Sequence, residues 1–172
     1  MPMSSEEGKS WIHSRVSELT GDGPVSLLDI GPGVGTYAKL LADLDISRRT
    51  GIEIWEPYVQ TYRLRDYYDE IIVGDVRTTP LPAADVVILG DVVEHMTRDE
   101  AVQVWRACTA AARRSVLLSI PVVHYPQHDL EGNPYEVHVE EDWDHPQVLA
   151  TFEGITAHWV GTEVGVYERR LT

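Results

Sequence analysis

Short apolar runs alternate along this chain with stretches whose apolar residues recur every three to four positions. Val25, Ser26, Leu27, Leu28 and Ile30 suit a buried strand, broken only by Asp29. Tyr37, Leu40, Leu41 and Leu44 follow at the spacing of one helix face. Residues 50–54 read as a second short strand, and Pro57 opens a helical stretch leading to Tyr67 and Tyr68. Residues 70–73 form a third strand, closed by Gly74 and Asp75. Residues 84–89 are an almost unbroken apolar run, the pattern of a central strand covered on both faces. Ala101, Val104, Trp105, Cys108, Ala111 and Ala112 share one face of a helix predicted over 100–114. A fifth strand, 115–120, is stopped by Pro121.

The two ends of the chain read differently. Residues 4–19 have the pattern of an amphipathic helix, with Ser4 or Ser5 as its cap and Glu6 and Glu7 favouring its N-terminal dipole. Trp11, Ile12, Val16 and Leu19 approximate its buried face, and Gly21-Asp22-Gly23-Pro24 stops it. Such a helix packs on the sheet or covers a ligand. Beyond Pro121 the periodicity ends. Residues 122–143 hold two prolines, a Gly-Asn-Pro turn, His124, His128, His138 and several acids. Irregular stretches of this length are commonly functional. A short helix over 145–149 and a hairpin of strands 155–160 and 163–169 close the chain. The alternation predicts an α/β, doubly wound, Rossmann-like sheet ending in an antiparallel hairpin. It reads as a single domain over 1–172, with an N-terminal helix in 1–20 and a substrate-side insert at 122–143.

Charge narrows the partners. Fourteen basic against twenty-eight acidic residues leave a net charge of −14 with histidine neutral, which repels phosphate backbones and argues against a nucleic-acid substrate. No run approaches the ~20 apolar residues of a membrane span. MPMSSEEGKS lacks the basic and apolar regions of a secretory signal. The lone Cys108 suits a reducing compartment, so a cytoplasmic protein is expected. Five tryptophans and eight tyrosines leave a homodimer surface open.

Candidate chemistry sits where the predicted strands end, which is where open α/β sheets bind ligands. Gly31, Gly33 and Gly35 space a G-x-G-x-G turn between strand and helix; a dinucleotide fingerprint would place its third glycine at Thr36. The second strand ends in Glu53 and Glu56, and a carboxylate there can accept bonds from both hydroxyls of a ribose. The third ends in Gly74-Asp75-Val76 and the fourth in Gly90-Asp91-Val92-Val93-Glu94-His95.

The run Asp-Ile-Gly-Pro-Gly-Val-Gly resembles the first motif of the class I S-adenosylmethionine-dependent methyltransferases. The Gly-Asp turn and the Glu-His after the fourth strand resemble that family's segments at the same strand ends. The resemblance implies a seven-stranded sheet and S-adenosyl-L-methionine as cofactor. It implies that Asp29, Gly31 and Gly33 meet the methionine part and that Glu53, with Glu56 as the alternative, holds the ribose. Ile54, Asp75 and Val76 would then face the adenine, while Gly90 and Asp91 complete the cofactor site.

Methyl transfer needs an aligned nucleophile and, for a hydroxyl, a base. His95 is the first candidate, with helix capping or a bond to a loop carbonyl as its structural alternative. Asp91 is a weaker base unless its pKa is raised. In the insert, His138 can orient or deprotonate a hydroxyl between Tyr125 and Tyr135. The histidines and acids there could also ligate a metal, yet the pattern of cation-dependent O-methyltransferases is not found and no metal is expected. The expected function is methylation of a small-molecule acceptor, foremost at a hydroxyl oxygen. Two alternatives stand beside it: a ligand-binding module without transfer, and an NAD-dependent oxidoreductase, against which Thr36 and the Glu-His pair count.

Overall fold

The structure is a computed structural model, describing residues 5–130 and 132–171. Helix α1 (Lys9–Thr20) leads into β1 (Val25–Ile30), α2 (Thr36–Leu40), β2 (Ile46–Glu53), α3 (Glu56–Thr61) and β3 (Glu70–Val73). The chain continues through β4 (Ala84–Gly90), α4 (Arg98–Ala111), β5 (Ala112–Pro121), α5 (His145–Thr151), β6 (Ala157–Val160) and β7 (Val164–Arg170). The strands form one sheet in the order β3-β2-β1-β4-β5-β7-β6. The first five are parallel, whereas β7 runs antiparallel to both β5 and β6. This is the α/β, Rossmann-like fold with its C-terminal antiparallel hairpin.

The sheet is covered on both sides because neighbouring residues of its central strands point to opposite faces. Leu28, Val87, Leu89, Val116 and Leu118 pack with Val104, Trp105 and Cys108 of α4 and with Phe152. Leu27, Val86, Ile88 and Leu117 pack instead with Ile12, Val16 and Leu19 of α1 and with Leu41. Connections run from β1 toward β3 in one direction and from β4 toward β5 in the other. The carboxyl ends of β1 and β4 therefore form the switch-point crevice that a doubly wound sheet leaves for a ligand.

Several predicted boundaries move. The N-terminal helix starts at Lys9, after Gly8 in a left-handed conformation (φ 76°), and no side chain among the described residues caps it. Ser4 lies outside the described residues, and Glu7 turns away from the helix to cap the β6–β7 connection. Its carboxylate accepts the amides of Thr162, Glu163 and Val164 at 3.1, 2.9 and 2.9 Å. The helix face is as expected, with Ile12, Val16 and Leu19 buried against the sheet. Arg15 on its flank reaches the buried Glu168 of β7 (Nε to Oε2, 2.7 Å). Helix α4 begins two residues early, where Thr97 and Glu100 form a reciprocal capping box. It also ends earlier, because Ala112 goes directly into extended backbone and places Arg113 and Arg114 on β5. Strand β2 starts at Ile46, and the Ser47, Arg48 and Arg49 that follow are polar and exposed or half-buried, so this part carries no apolar signal.

Candidate active site

A cavity of about 510 Å³ opens over the carboxyl ends of β1, β2, β3 and β4, within the size range of small-molecule sites. The glycine turn forms its floor. Gly31, Gly33 and Gly35 all have positive φ (65°, 53° and 79°), a conformation that L side chains rarely adopt. A Cβ on Gly31 would stand 2.8 Å from Val92, while at Gly33 nothing lies nearer than 3.9 Å, so that side of the turn is clear for a ligand.

Glu53 secures this turn from β2. Its carboxylate accepts the Gly33 amide at 3.2 Å and the Trp55 amide at 2.8 Å. The group is buried, and burial pushes its pKa up to about 7. Glu56, the sequence alternative, is exposed and does not line the cavity. Ile54 lines it, whereas Trp55 packs against Tyr135 with ring centroids 6.0 Å apart. Asp29 is placed differently from the other predicted residues: it lies beneath the turn, fully buried, and is not part of the cavity wall. The Tyr68 hydroxyl donates to its Oδ2, Oδ1 has no hydrogen-bond partner among the described residues, and burial lifts its pKa to about 7.

Asp75 and Val76 line the cavity at the end of β3. The Arg77 guanidinium donates to the Asp75 carboxylate (Nη2 to Oδ2, 2.7 Å), holding it below the usual carboxylate range. Gly90 and Asp91 line it at the end of β4. A Cβ on Gly90 would fall 2.0 Å from the Tyr37 ring, so only glycine leaves that ring its place. Asp91 takes the left-handed conformation (φ 55°) and accepts a bond from the Ser119 hydroxyl at 3.1 Å.

Beyond Gly90 and Asp91, the irregular insert folds back over β4. The amides of Val139 and Glu140 both donate to the Glu94 carbonyl, at 2.9 and 3.1 Å. That return brings His138 to His95, with ring centroids 4.8 Å apart. His95 Nδ1 donates to the Val137 carbonyl at 3.1 Å, and His138 Nδ1 donates to the Tyr125 carbonyl at 2.6 Å. Burial lowers both imidazole pKa values, favouring the neutral rings. Glu94 is also buried here, and among the described residues neither carboxyl oxygen has a hydrogen-bond partner. Burial, reinforced by the charge of Asp91, pushes its pKa well above the carboxylate range. His124 and His128 are exposed, His124 pairs with Asp142 at 2.8 Å, and neither belongs to a metal-ligand cluster among the described residues.

Three contributors were not read from the sequence. Glu94 is one, visible there only as the neighbour of His95. Lys9 is a second, behind the wall rather than in it: it is buried, its Nζ lies 3.5 Å from the hydroxyl of Tyr37, which lines the cavity, and burial lowers its pKa. Asn133, buried in the insert and accepting the Tyr135 amide at 3.0 Å, is the third. A lysine on an amphipathic helix and an asparagine in a turn carry no sequence signal of burial.

The sequence model described as "methyltransferase domain" matches residues 28–120, more than half of the chain. The chain belongs to that methyltransferase family. It is an S-adenosylmethionine-dependent methyltransferase of class I, and S-adenosylmethionine is its cofactor. The glycine turn fits that group: at Gly33 no described residue comes within 3.9 Å of a Cβ position, and a buried acid stands behind the turn. No match is found among curated proteins by sequence. In fold, the methyltransferase is similar to the PH0226 protein of Pyrococcus horikoshii OT3, with a TM-score of 0.68 at 19% identity over 98% of this chain and 92% of that one. It is similar to the magnesium protoporphyrin IX methyltransferase of Synechocystis PCC 6803, solved with bound SAM (TM-score 0.66, 18% identity, 95% and 79% covered). It also resembles the Burkholderia thailandensis 1,6-didemethyltoxoflavin-N1-methyltransferase, solved with its substrate and S-adenosylhomocysteine (TM-score 0.67, 16% identity, 97% and 80% covered). Among the described residues, no helix is long and apolar enough to cross a membrane.

Proposed function

We propose that this methyltransferase acts on a small-molecule acceptor and methylates a hydroxyl oxygen. The observation that carries this reading is the histidine pair. His95 and His138 each commit Nδ1 to a backbone carbonyl, which leaves the Nε2 lone pair of each ring for the cavity both residues line. Neutral imidazoles suit a hydroxyl, which must give up a proton; an amine acceptor has less need of them. Tyr125 packs against His138 with ring centroids 5.6 Å apart, Tyr135 lines the same cavity, and an enclosure of this size suits a small molecule. The two named methyltransferases of similar fold act on a porphyrin and on a toxoflavin precursor.

Within this reading Gly31 and Gly33 receive the methionine end and Asp29 stiffens the turn from below. Glu53 keeps lone pairs beyond its two amide bonds for the ribose hydroxyls. Ile54, Asp75 and Val76 face the adenine, and Gly90 and Asp91 bound the passage toward the histidines. When bound, S-adenosylmethionine supplies a methyl group that its sulfonium already makes electrophilic. The protein's share is to align the acceptor, exclude water and accommodate the hydroxyl proton. The test is turnover against a panel of phenolic and alcoholic compounds, with mass spectrometry of the products. O-methyl products, with His95→Ala and His138→Ala each lowering turnover by about 10²-fold at near-normal S-adenosylhomocysteine affinity, support the assignment. Exclusive N-methylation, or full activity in both variants, contradicts it.

A further inference from the structure

The acceptor end holds a carboxyl group that the mechanism above does not use. Glu94 is 1% exposed, and among the described residues neither of its oxygens has a hydrogen-bond partner. Leaving a buried carboxyl unsatisfied costs about 1–3 kcal/mol or more, and a fold that merely needed to fill this space would use an apolar side chain. The group also lines the cavity. One ligand atom from each of Glu94, His95 and His138 falls within 4.8 Å of the other two.

We infer that Glu94, His95 and His138 bind one divalent transition-metal ion, with a coordination position left open toward the acceptor. The inference rests on the methyltransferase reading for its purpose but on these three residues for its evidence. The imidazoles are prepared as ligands, since a metal-binding histidine usually donates its other ring N–H to a carbonyl or carboxylate. His95 does so to Val137 and His138 to Tyr125. The Glu94 carbonyl anchors the amides of Val139 and Glu140, so the segment bearing His138 is tied to the residue that supplies the carboxylate. Donors about 2 Å from one ion are at most about 4 Å apart, so the three need inward rotation on the order of 1 Å.

Two imidazole nitrogens and one carboxylate favour zinc, cobalt, iron or manganese over calcium, which prefers an all-oxygen shell. Three protein ligands leave the site open, as in catalytic rather than structural metal centres. An acceptor hydroxyl bound there loses its proton to water more readily, with the electron pair remaining on oxygen. The Nε2 lone pairs that face the cavity then serve the acceptor hydroxyl through the ion, and the losses of turnover expected in His95→Ala and His138→Ala hold on this account as well.

The test uses the full chain freed of metal by a chelator. S-adenosylhomocysteine is titrated first, and its binding establishes that the cofactor reading stands. Co²⁺ is then titrated and followed by visible absorption. The expected result is one Co²⁺ per chain, with affinity falling at least about 100-fold in Glu94→Gln and His138→Gln while S-adenosylhomocysteine affinity holds. His128→Gln, exposed in the same insert, should bind Co²⁺ as the parent does. Should Glu94→Gln fail to fold, His138→Gln carries the comparison alone. No one-to-one complex up to about 1 mM Co²⁺, or equal titrations in parent and both variants, overturns the metal site. If that occurs while S-adenosylhomocysteine still binds, only this inference falls. If S-adenosylhomocysteine fails to bind the folded protein, the methyltransferase reading falls with it.

Discussion

The carboxylate of Glu53, at the end of β2, accepts the amide of Gly33, at the bend after β1, at 3.2 Å. One side chain thus fixes the turn and still faces the cavity. Glu53→Ala should weaken S-adenosylhomocysteine binding about tenfold or more, since charge-assisted hydrogen bonds are lost on both the protein and the ligand side. Glu56→Ala should leave affinity unchanged, because Glu56 is exposed and outside the cavity wall. Calorimetry on the two variants decides the matter, and the reverse order would move the ribose contact to Glu56.

Asp29 gives the ligand-free protein a pH dependence. Burial lifts its pKa to about 7 in the folded state, against about 3.9 in an unfolded chain. The folded state therefore binds this proton more tightly, and stability is lost as pH rises from about 4 toward 7. Asn at this position keeps an acceptor for the Tyr68 hydroxyl and removes the titration. Relative to the parent, Asp29→Asn should gain on the order of 2 kcal/mol between about pH 5 and pH 7.5. Denaturant unfolding at the two pH values measures this. Parallel curves would show that Asp29 is already ionised in the folded protein.

Gly90 leaves the Tyr37 ring its place. Its Cβ position lies 2.0 Å from Tyr37 Cε2, and that ring is buried, with Lys9 Nζ 4.8 Å from its centroid. Gly90→Ala should cost about 1–3 kcal/mol through overpacking, lowering the melting temperature by about 2–4 °C for each kcal/mol. An unchanged melting temperature would mean that the ring moves freely.

Glu7 joins the start of α1 to the β6–β7 turn. Its three amide bonds hold the carboxyl below the usual range. What it adds is therefore present above its unfolded pKa and lost as pH falls through the folded value. Glu7→Ala should speed hydrogen exchange at the Thr162, Glu163 and Val164 amides at neutral pH, and the difference should shrink in acid. Identical exchange in parent and variant would remove this role.

Local periodicity is what made the sheet legible. Residues 84–89 and 115–120 are apolar because both faces of the central strands are covered, and that requirement is written residue by residue. The positive-φ turn was legible because the chain spends glycine there, at Gly31, Gly33 and Gly35. Glu7 was misread because its partners lie 155 to 157 residues away, and beside a helix start an acid looks like a dipole partner. Glu94 is hidden for a related reason: nothing in the local sequence shows that both it and its neighbour His95 turn toward the cavity. The insert had no period to read. Its shape follows from amides that return to Glu94 and from carbonyls that hold the two histidines.

Calorimetric titration of the purified protein with S-adenosylhomocysteine, with NADH run in parallel, tests the central claim most directly. The expected result is one-to-one micromolar binding of S-adenosylhomocysteine and none of NADH. Binding of NADH instead, or of neither compound by a demonstrably folded protein, would contradict it.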